Sequence, residues 1–430
     1  MWKKVGFVVL VLAVLLAGCQ QPTKPTTTPT AKEAVVKFGA PISLSGKFAE
    51  EGKQSLWGMQ VAVRWINEHG GIKIGDKTYK VELVYYDDES KKETVQSLIE
   101  RLATVDKVKF ILAPYSSGLT FAAAPIAEKY HVLLNSHGGA SDRIFEQGYR
   151  YVVQTLSPAS MYQIGFLDMV HKLDPNAKRL ALVYEDAEFS KTVHRAAKEY
   201  AEKLGFEIVY DKTYPKGVTD LSPILNELKA TKPDILIGGG HFADGQLLVK
   251  QLAELKIDVK GISILVAPSF PKFYEALGTI AEGVCAPAQW EVGVAYSPEV
   301  AKKMGIEWYG PTQEEFMKLF REVAGGNVTP AYQAAEAAAA VLAYAKAIEK
   351  AQSLDVDKVR DAMDNLTFMC LYGVWKIDPK TGKQIGHKMI VIQWINGQKK
   401  IVWPEEAANA KPCYPMPTWE EKEKGKKCST

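Results

Sequence analysis

VVKFGAPIS (35–43), QSLWGMQVAVRWINEHGG (54–71) and YKVELVYYDD (79–88) decide the fold. The first is a β-rich run ending in a Ser/Gly turn. The second reads as a helix stopped by paired glycines, and the third is again a strand. The alternation continues outward through SKKETVQSLIERLATVD (90–106, helix), KFILAP (109–114, strand), LTFAAAPIAEKY (119–130, helix) and HVLLNS (131–136, strand). A second series repeats it: RLALVYED (179–186), a helix through HRAAKEYAEKLG (194–205), EIVYDKTYP (207–215), a helix at LSPILNELKA (221–230), DILIGGG (234–240), the helix DGQLLVKQLAEL (244–255) and KGISILVA (260–267). Repeated strand-helix units imply a parallel sheet covered by helices. With right-handed crossovers, each series folds into its own three-layer lobe. The expected class is α/β, with two Rossmann-like lobes.

The last third does not read as another domain. It holds the helices EEFMKLFREVAG (314–325), AYQAAEAAAAVLAYAKAIEKA (331–351) and DVDKVRDAMDNL (355–366), then a hairpin-like stretch at 373–397. The alanine-rich helix has so few bulky polar groups that it should pack tightly against a lobe. The segment from Pro404 to Thr430, rich in Pro, Lys and Glu, is expected on the surface.

The N-terminus bounds the compartment. Lys3 and Lys4 precede an apolar run, Val5 to Leu16, which is too short to span a bilayer and reads as a secretory leader. Leu16-Ala17-Gly18-Cys19 resembles a bacterial-type lipobox, in which Cys19 is diacylated and becomes the mature terminus. The Thr/Pro-rich stretch that follows cannot build a core. At ~3.1 Å per residue it forms a tether of roughly 45 Å that holds a globular body off the membrane. The expected location is therefore extracytoplasmic, on the outer face of the cytoplasmic membrane.

Removing the leader leaves 51 basic residues against 50 acidic, a balance that gives no support for nucleic-acid binding. Export permits disulfides among Cys285, Cys370, Cys413 and Cys428. Spacing alone leaves their pairing open. Asn327 and Asn365 begin Asn-x-Thr sequences that would accept glycans in a host that attaches them.

Enzymatic readings find little support. Gly238-Gly239-Gly240-His241-Phe242-Ala243 fits G-x-G-x-x-A after a strand, but the acidic residue a dinucleotide site needs should follow the next strand, and Asp258 precedes it. There is no G-x-S-x-G elbow and no H-E-x-x-H, and the seven histidines are scattered. No catalysis, cofactor or metal is expected.

The order and spacing of GAPISLSGKFAEEGKQSLWGMQVAVRWINEHGGI (39–72), Asp87-Asp88, APYSSGLTFAAAPIAEKY (113–130), LLNSHGGAS (133–141) and GGGHFADGQLLVKQL (238–252) resemble the leucine/isoleucine/valine-binding proteins, type I periplasmic binding proteins that serve ATP-driven importers. The likeness runs from Val35 to about Pro404. It implies three crossover strands near Gln154-Thr155, Val284 to Ala288 and Leu371-Tyr372. The chain then divides into a leader (1–18), tether (19–34), first lobe (35–154 plus 288–370), second lobe (155–287 plus 371–404) and tail (405–430). The ligand would lie between the lobes, and the partners would be a permease, its ATPase and the membrane.

Carried over residue by residue, Ser116-Ser117-Gly118 falls where the family holds a carboxylate, with Ser117 the best match, and Gly138 where a backbone group contributes. Ala140 replaces a usual hydroxyl residue, for which Ser141 could substitute. Phe189 takes the place of a cleft aromatic. Gly240 stands where a tyrosine is often found, with His241 next to it able to fill the space. SILVAPSF (263–270) lacks the acid that accepts an ammonium, and Glu51 is another candidate for that role. The resemblance implies a branched-chain or other small amino acid as ligand, while the altered clamp positions leave amides, other carboxylates and related small polar solutes open. A sensory protein of the same fold is the alternative, although no second apolar span or output domain is evident.

Overall fold

The computed structural model describes residues 34–326 and 328–428, together with residue 2. The expected leader apart from residue 2, the expected lipidation at Cys19, the expected tether as far as residue 33 and the Asn327 glycan acceptor expected from its Asn-x-Thr sequence lie outside the described residues. No helix among the described residues is long and apolar enough to cross a membrane.

The first sheet comprises β1 (Ala34–Ile42), β2 (Ile72–Ile74), β3 (Lys77–Asp87), β4 (Phe110–Leu112), β5 (Leu133–Ser136) and β6 (Val152–Gln154). Its helices are α1 (Ala49–Glu68), α2 (Lys92–Thr104) and α3 (Ser117–Tyr130). The second sheet is entered after α4 (Ile164–Leu173). It alternates β7 (Arg179–Glu185), α5 (Glu188–Lys203), β8 (Glu207–Tyr214), α6 (Ser222–Thr231), β9 (Ile235–Gly239), α7 (Phe242–Glu254), β10 (Gly261–Ile264), α8 (Pro271–Leu277) and β11 (Val284–Ala288). There follow α9 (Pro298–Lys303), α10 (Gln313–Ala324), α11 (Tyr332–Ala351), α12 (Val356–Asp364), the ribbon β12 (Phe368–Cys370) with β13 (Gly373–Trp375), then β14 (Ile390–Ile395), β15 (Gln398–Trp403) and α13 (Trp419–Glu423).

The sheet orders are β2-β3-β1-β4-β5-β6 and β15-β14-β11-β10-β9-β7-β8. Both sheets are mixed rather than wholly parallel: β2 runs antiparallel to β3, and β14 antiparallel to both β11 and β15. Their parallel centres are the α/β units expected from the sequence. The order departs from it at the edges, where β2 and β15 are short or partly solvated and carry no strong apolar run. The expected hairpin at 373–397 is instead split: β13 turns back on β12, and β14 pairs forward with β15. The chain therefore joins the second sheet from this end only at Ile390.

Helix boundaries follow local chemistry. Thr312 caps α10, its hydroxyl accepting from the Glu315 amide while the Glu315 carboxylate accepts from the Thr312 amide at 2.8 Å. Helix α1 starts at Ala49, earlier than the apolar periodicity indicates, because Glu50 and Glu51 occupy its first turn and suit the helix dipole.

Helix α11 is internal, with sixteen of its twenty residues buried. Its alanines allow close approach to α1, where a Cβ at Gly58 would fall on the Ala334 carbonyl oxygen. Further along, the Tyr344 ring packs on Phe38 and Phe110, with centroids at 5.4 and 5.6 Å. Its hydroxyl lies 2.7 Å from the carbonyl oxygens of both Ile111 and Leu133, which ties the helix to the sheet.

The C-terminal segment is not a surface tail. Cys413 and Cys428 form a disulfide, while Cys285 and Cys370 are buried free thiols. Trp419 is buried, its indole donating to the Ile257 carbonyl at 2.6 Å, and the Met416 amide donates to Lys260. Abundant Pro, Lys and Glu mask four anchoring side chains, Cys413, Met416, Trp419 and Cys428.

Lys422 is fully buried there, its ammonium 4.0 Å from the Trp419 ring centroid. Burial pulls its pKa down to about 7. Between pH 7 and the ordinary lysine value the unfolded chain binds the extra proton. Stability should therefore rise as pH increases through that window and carry the full cost below it. Lys422→Met should remove this rise and stabilise the protein at pH 7 and below, by on the order of 3 kcal/mol; urea unfolding of both proteins across pH 6 to 10 checks it.

Candidate functional site

In each sheet the strand order reverses about a central strand, β1 between β3 and β4, and β7 between β8 and β9. Crevices beyond the carboxyl ends of strands at such reversals are where open α/β sheets bind ligands. Here the two crevices face each other. From the first sheet come Lys47, Phe48 and Glu51 after β1, Tyr115 and Ser116 after β4, and Gly138 to Ser141 after β5. From the second come Glu185 at the end of β7, Phe189 just beyond it at the start of α5, and His241 after β9.

These groups close the gap between the sheets. The Lys47 ammonium pairs with the Glu185 carboxylate, whose other oxygen bonds His241 Nδ1 at 2.8 Å. Glu51 Oε1 accepts from the Phe242 amide at 3.2 Å, and Ser141 Oγ donates to Glu188 at 3.0 Å. Arg143 pairs with Glu188 at 3.0 Å, and Lys272 with Glu50 at 2.5 Å. Burial opposes ionisation of Glu185, but the His241 ring and the Lys47 ammonium outweigh it and hold the carboxyl well below the usual range. Asp244 moves the other way: burial and the neighbouring Glu185 charge raise it.

Behind this closure lies a narrow cavity with a free volume of only about 10 Å³ between its lining residues. It has room for little more than one water, so a larger ligand requires the sheets to separate before closing on it. Aromatic walls come from Tyr115, Tyr162, Phe189 and Tyr332. Phe189 meets Tyr162 edge-on at 5.0 Å and His241 at 5.7 Å. Tyr332 and Glu336 stand one turn apart on α11 and so project from the same face. A mouth of about 140 Å³, edged by Lys47, Lys92, Lys216 and Glu188, adjoins the cavity at Ser116, Phe189 and His241.

Of the residues selected from sequence, Ser116, Gly138, Ala140, Phe189 and His241 line the cavity. The others surround it. Ser117 is buried, its hydroxyl accepting from the Ser141 amide at 3.0 Å, and Ser141 spends its own hydroxyl on Glu188 and Thr192. Gly240 lies beside the Glu185–His241 pair, where a Cβ would strike Glu185 and Asp244. No larger side chain fits there. Glu51 is buried on the bond to Phe242.

Sequence reading missed Tyr115, Leu156, Tyr162, Tyr332 and Glu336, which also line the cavity. It also missed the closing pair Lys47 and Glu185. Glu185, His241 and Asp244 place three metal-binding side-chain types within 4.8 Å of one another. Each is engaged by protein partners: Glu185 by Lys47, His241 by Glu185, and Asp244 by the Tyr214 hydroxyl and the His241 amide.

Two facing α/β crevices that enclose a small aromatic cavity define a cleft-type solute binder. The chain belongs to the periplasmic binding protein family, whose model matches residues 35–399. This is a family of non-catalytic solute-binding proteins.

Leu/Ile/Val-binding protein homolog 8 of Brucella abortus is 26% identical over 407 residues, spanning 90% of this chain and 94% of that relative. The branched-chain amino acid transporter substrate binding protein LivJ of Streptococcus pneumoniae, solved in complex with isoleucine, superposes with a TM-score of 0.72 at 23% identity, covering 86% of this chain and 100% of that one. A solute binding protein from R. palustris, solved with 4-hydroxybenzoate, superposes at 0.70 with 19% identity, covering 90% and 99%. The two-sheet fold expected from the sequence is the fold of these structures.

Proposed function

We propose that this chain is the extracytoplasmic, lipid-anchored solute-binding component of an ABC importer, acylated at Cys19, that captures a branched-chain or other small amino acid and delivers it to a permease. The carrying observation is the narrow cavity itself, walled by aromatic rings from both sides of the cleft, which the Lys47–Glu185 pair bridges nearby. Closing of the lobes over the ligand would create the surface that a permease reads.

Supporting the ligand class are the relatives named for leucine, isoleucine and valine and the small cavity. The hydroxybenzoate-binding relative makes aromatic acids the comparison set.

The test is a thermal-shift screen of the soluble body, residues 35–430, against amino acids, amides, aromatic and aliphatic acids and sugars. A ligand at 100 times its Kd adds ~2.7 kcal/mol to stability. A selective shift with leucine, isoleucine or valine supports the reading. A shift with hydroxybenzoates and with no amino acid overturns the ligand class and leaves the transport role in place.

A further inference from the structure

Glu336 is fully buried in the cavity wall, and neither of its carboxylate oxygens has a hydrogen-bond partner. The other buried acids around the cleft differ. Glu185 holds Lys47 and His241, Asp244 holds the Tyr214 hydroxyl and the His241 amide, and Glu51 gives one oxygen to the Phe242 amide.

The electrostatics of Glu336 are those of burial alone, with no lysine, arginine or histidine compensating it. A carboxyl in this condition is expensive to retain in a folded protein. A core position on an alanine-rich helix would be satisfied by alanine, and every helix neighbour of Glu336 from Ala334 to Ala340 is alanine.

Its surroundings name what it lacks. The rings of Tyr115, Tyr162, Phe189 and Tyr332 line the same narrow space. Aromatic faces around a single carboxylate are the arrangement that accepts an organic ammonium, by cation–π attraction and a charge-assisted hydrogen bond together. In the mouth outside, Lys47 is held by Glu185, which leaves Lys92 and Lys216 beside Glu188 at the outer end of the ligand path.

We infer that Glu336 is the counter-ion for the ligand's ammonium group, so that the cavity takes small amines and amino acids and rejects acids of the same shape. The inference rests on the cavity being the ligand site. It places the ammonium on α11 of the first-sheet side, whereas SILVAPSF on the second side has no acid to offer.

The test is calorimetric titration of the mature chain and of E336Q with two matched triplets: L-leucine, 3-methylbutylamine and 4-methylpentanoate; L-phenylalanine, 2-phenylethylamine and 3-phenylpropanoate. The wild type should bind ammonium-bearing members of at least one triplet, with the nitrogen-free acid at least 100-fold weaker. E336Q should lose at least 30-fold in affinity for them. Cooperative melting of ligand-free E336Q shows that the variant folds.

If an amino acid binds and E336Q keeps its affinity within threefold, the counter-ion role is overturned and the amino-acid reading survives. If the simple amines bind, E336Q abolishes that binding and no amino acid binds, the counter-ion role holds and the amino-acid reading falls. Equal or tighter binding of the nitrogen-free acids, or no binding of any ammonium-bearing probe, overturns the role.

Discussion

Glu185→Ala should weaken binding of the ligand selected by the screen by roughly 10- to 100-fold, with most of the loss in a faster off-rate. Glu185 is fully buried and receives the Lys47 ammonium from across the cleft and His241 from its own side. Removing one member of such a group leaves the others desolvated without an acceptor, which costs roughly 3–5 kcal/mol. Part of that cost falls on the free protein, because Glu185 and His241 both belong to the second-sheet side and meet whether or not the cleft is closed. The remainder falls on closure, where Lys47 must be brought into contact. Lys47 is partly exposed, so Lys47→Met should have a smaller effect, about 1 kcal/mol, and one that diminishes with salt. Calorimetry and stopped-flow dissociation on both variants check this. A Glu185→Ala protein with wild-type affinity would mean that the pair plays no part in holding the ligand.

Cys413→Ser should destabilise the protein by roughly 3 kcal/mol, the chain-entropy expectation for a loop of this length. The disulfide closes a separation of 15 residues and holds the segment carrying Trp419 and Met416 against the body. That segment contacts Ile257, Asp258 and Lys260, which precede β10 and so lie at the end of the second sheet opposite the cleft. Stability and binding should therefore separate. The urea midpoint should fall and limited proteolysis should cut within residues 404–428, while ligand affinity stays within about twofold of the wild type. Loss of binding in proportion to stability would show that the segment is coupled to the cleft.

Much of the fold was legible because its strands are short buried β-rich runs punctuated by glycines, and its helices have apolar faces of the right period. The elements that escaped have no such contrast. The Ile72–Ile74 strand is three residues long, and the Gln398–Trp403 edge strand contains Gln398, Lys399 and Lys400. The C-terminal segment was misplaced because composition counts its Pro, Lys and Glu residues and does not register that Trp419 and two cysteines recur among them.

The site was legible on one of its two layers. Ser116, Gly138, Ala140, Phe189 and His241 are the positions that the family resemblance implies, and all of them follow strand ends, where an α/β lobe exposes its loops. Tyr162 lies just before α4, and Tyr332 and Glu336 lie on α11. Only the chain crossings bring these distant segments to the same cavity. One signal was available. In AYQAAEAAAAVLAYAKAIEKA, a helix judged from its alanines to be buried, Gln333 and Glu336 are the polar exceptions at its N-terminal end. A polar residue on a helix expected to be buried asks for a partner.

The most direct test of the account is a calorimetric titration of Ala140→Leu with the ligand that the thermal-shift screen selects. Ala140 lines the cavity and is 1% exposed, and three added carbons there occupy space in which little more than one water fits. Binding should fall by more than about 100-fold, beyond the ~2.7 kcal/mol that such a factor represents, while cooperative unfolding is retained. Wild-type affinity in a folded Ala140→Leu protein would place the ligand elsewhere and contradict the assignment of this cavity as the binding site.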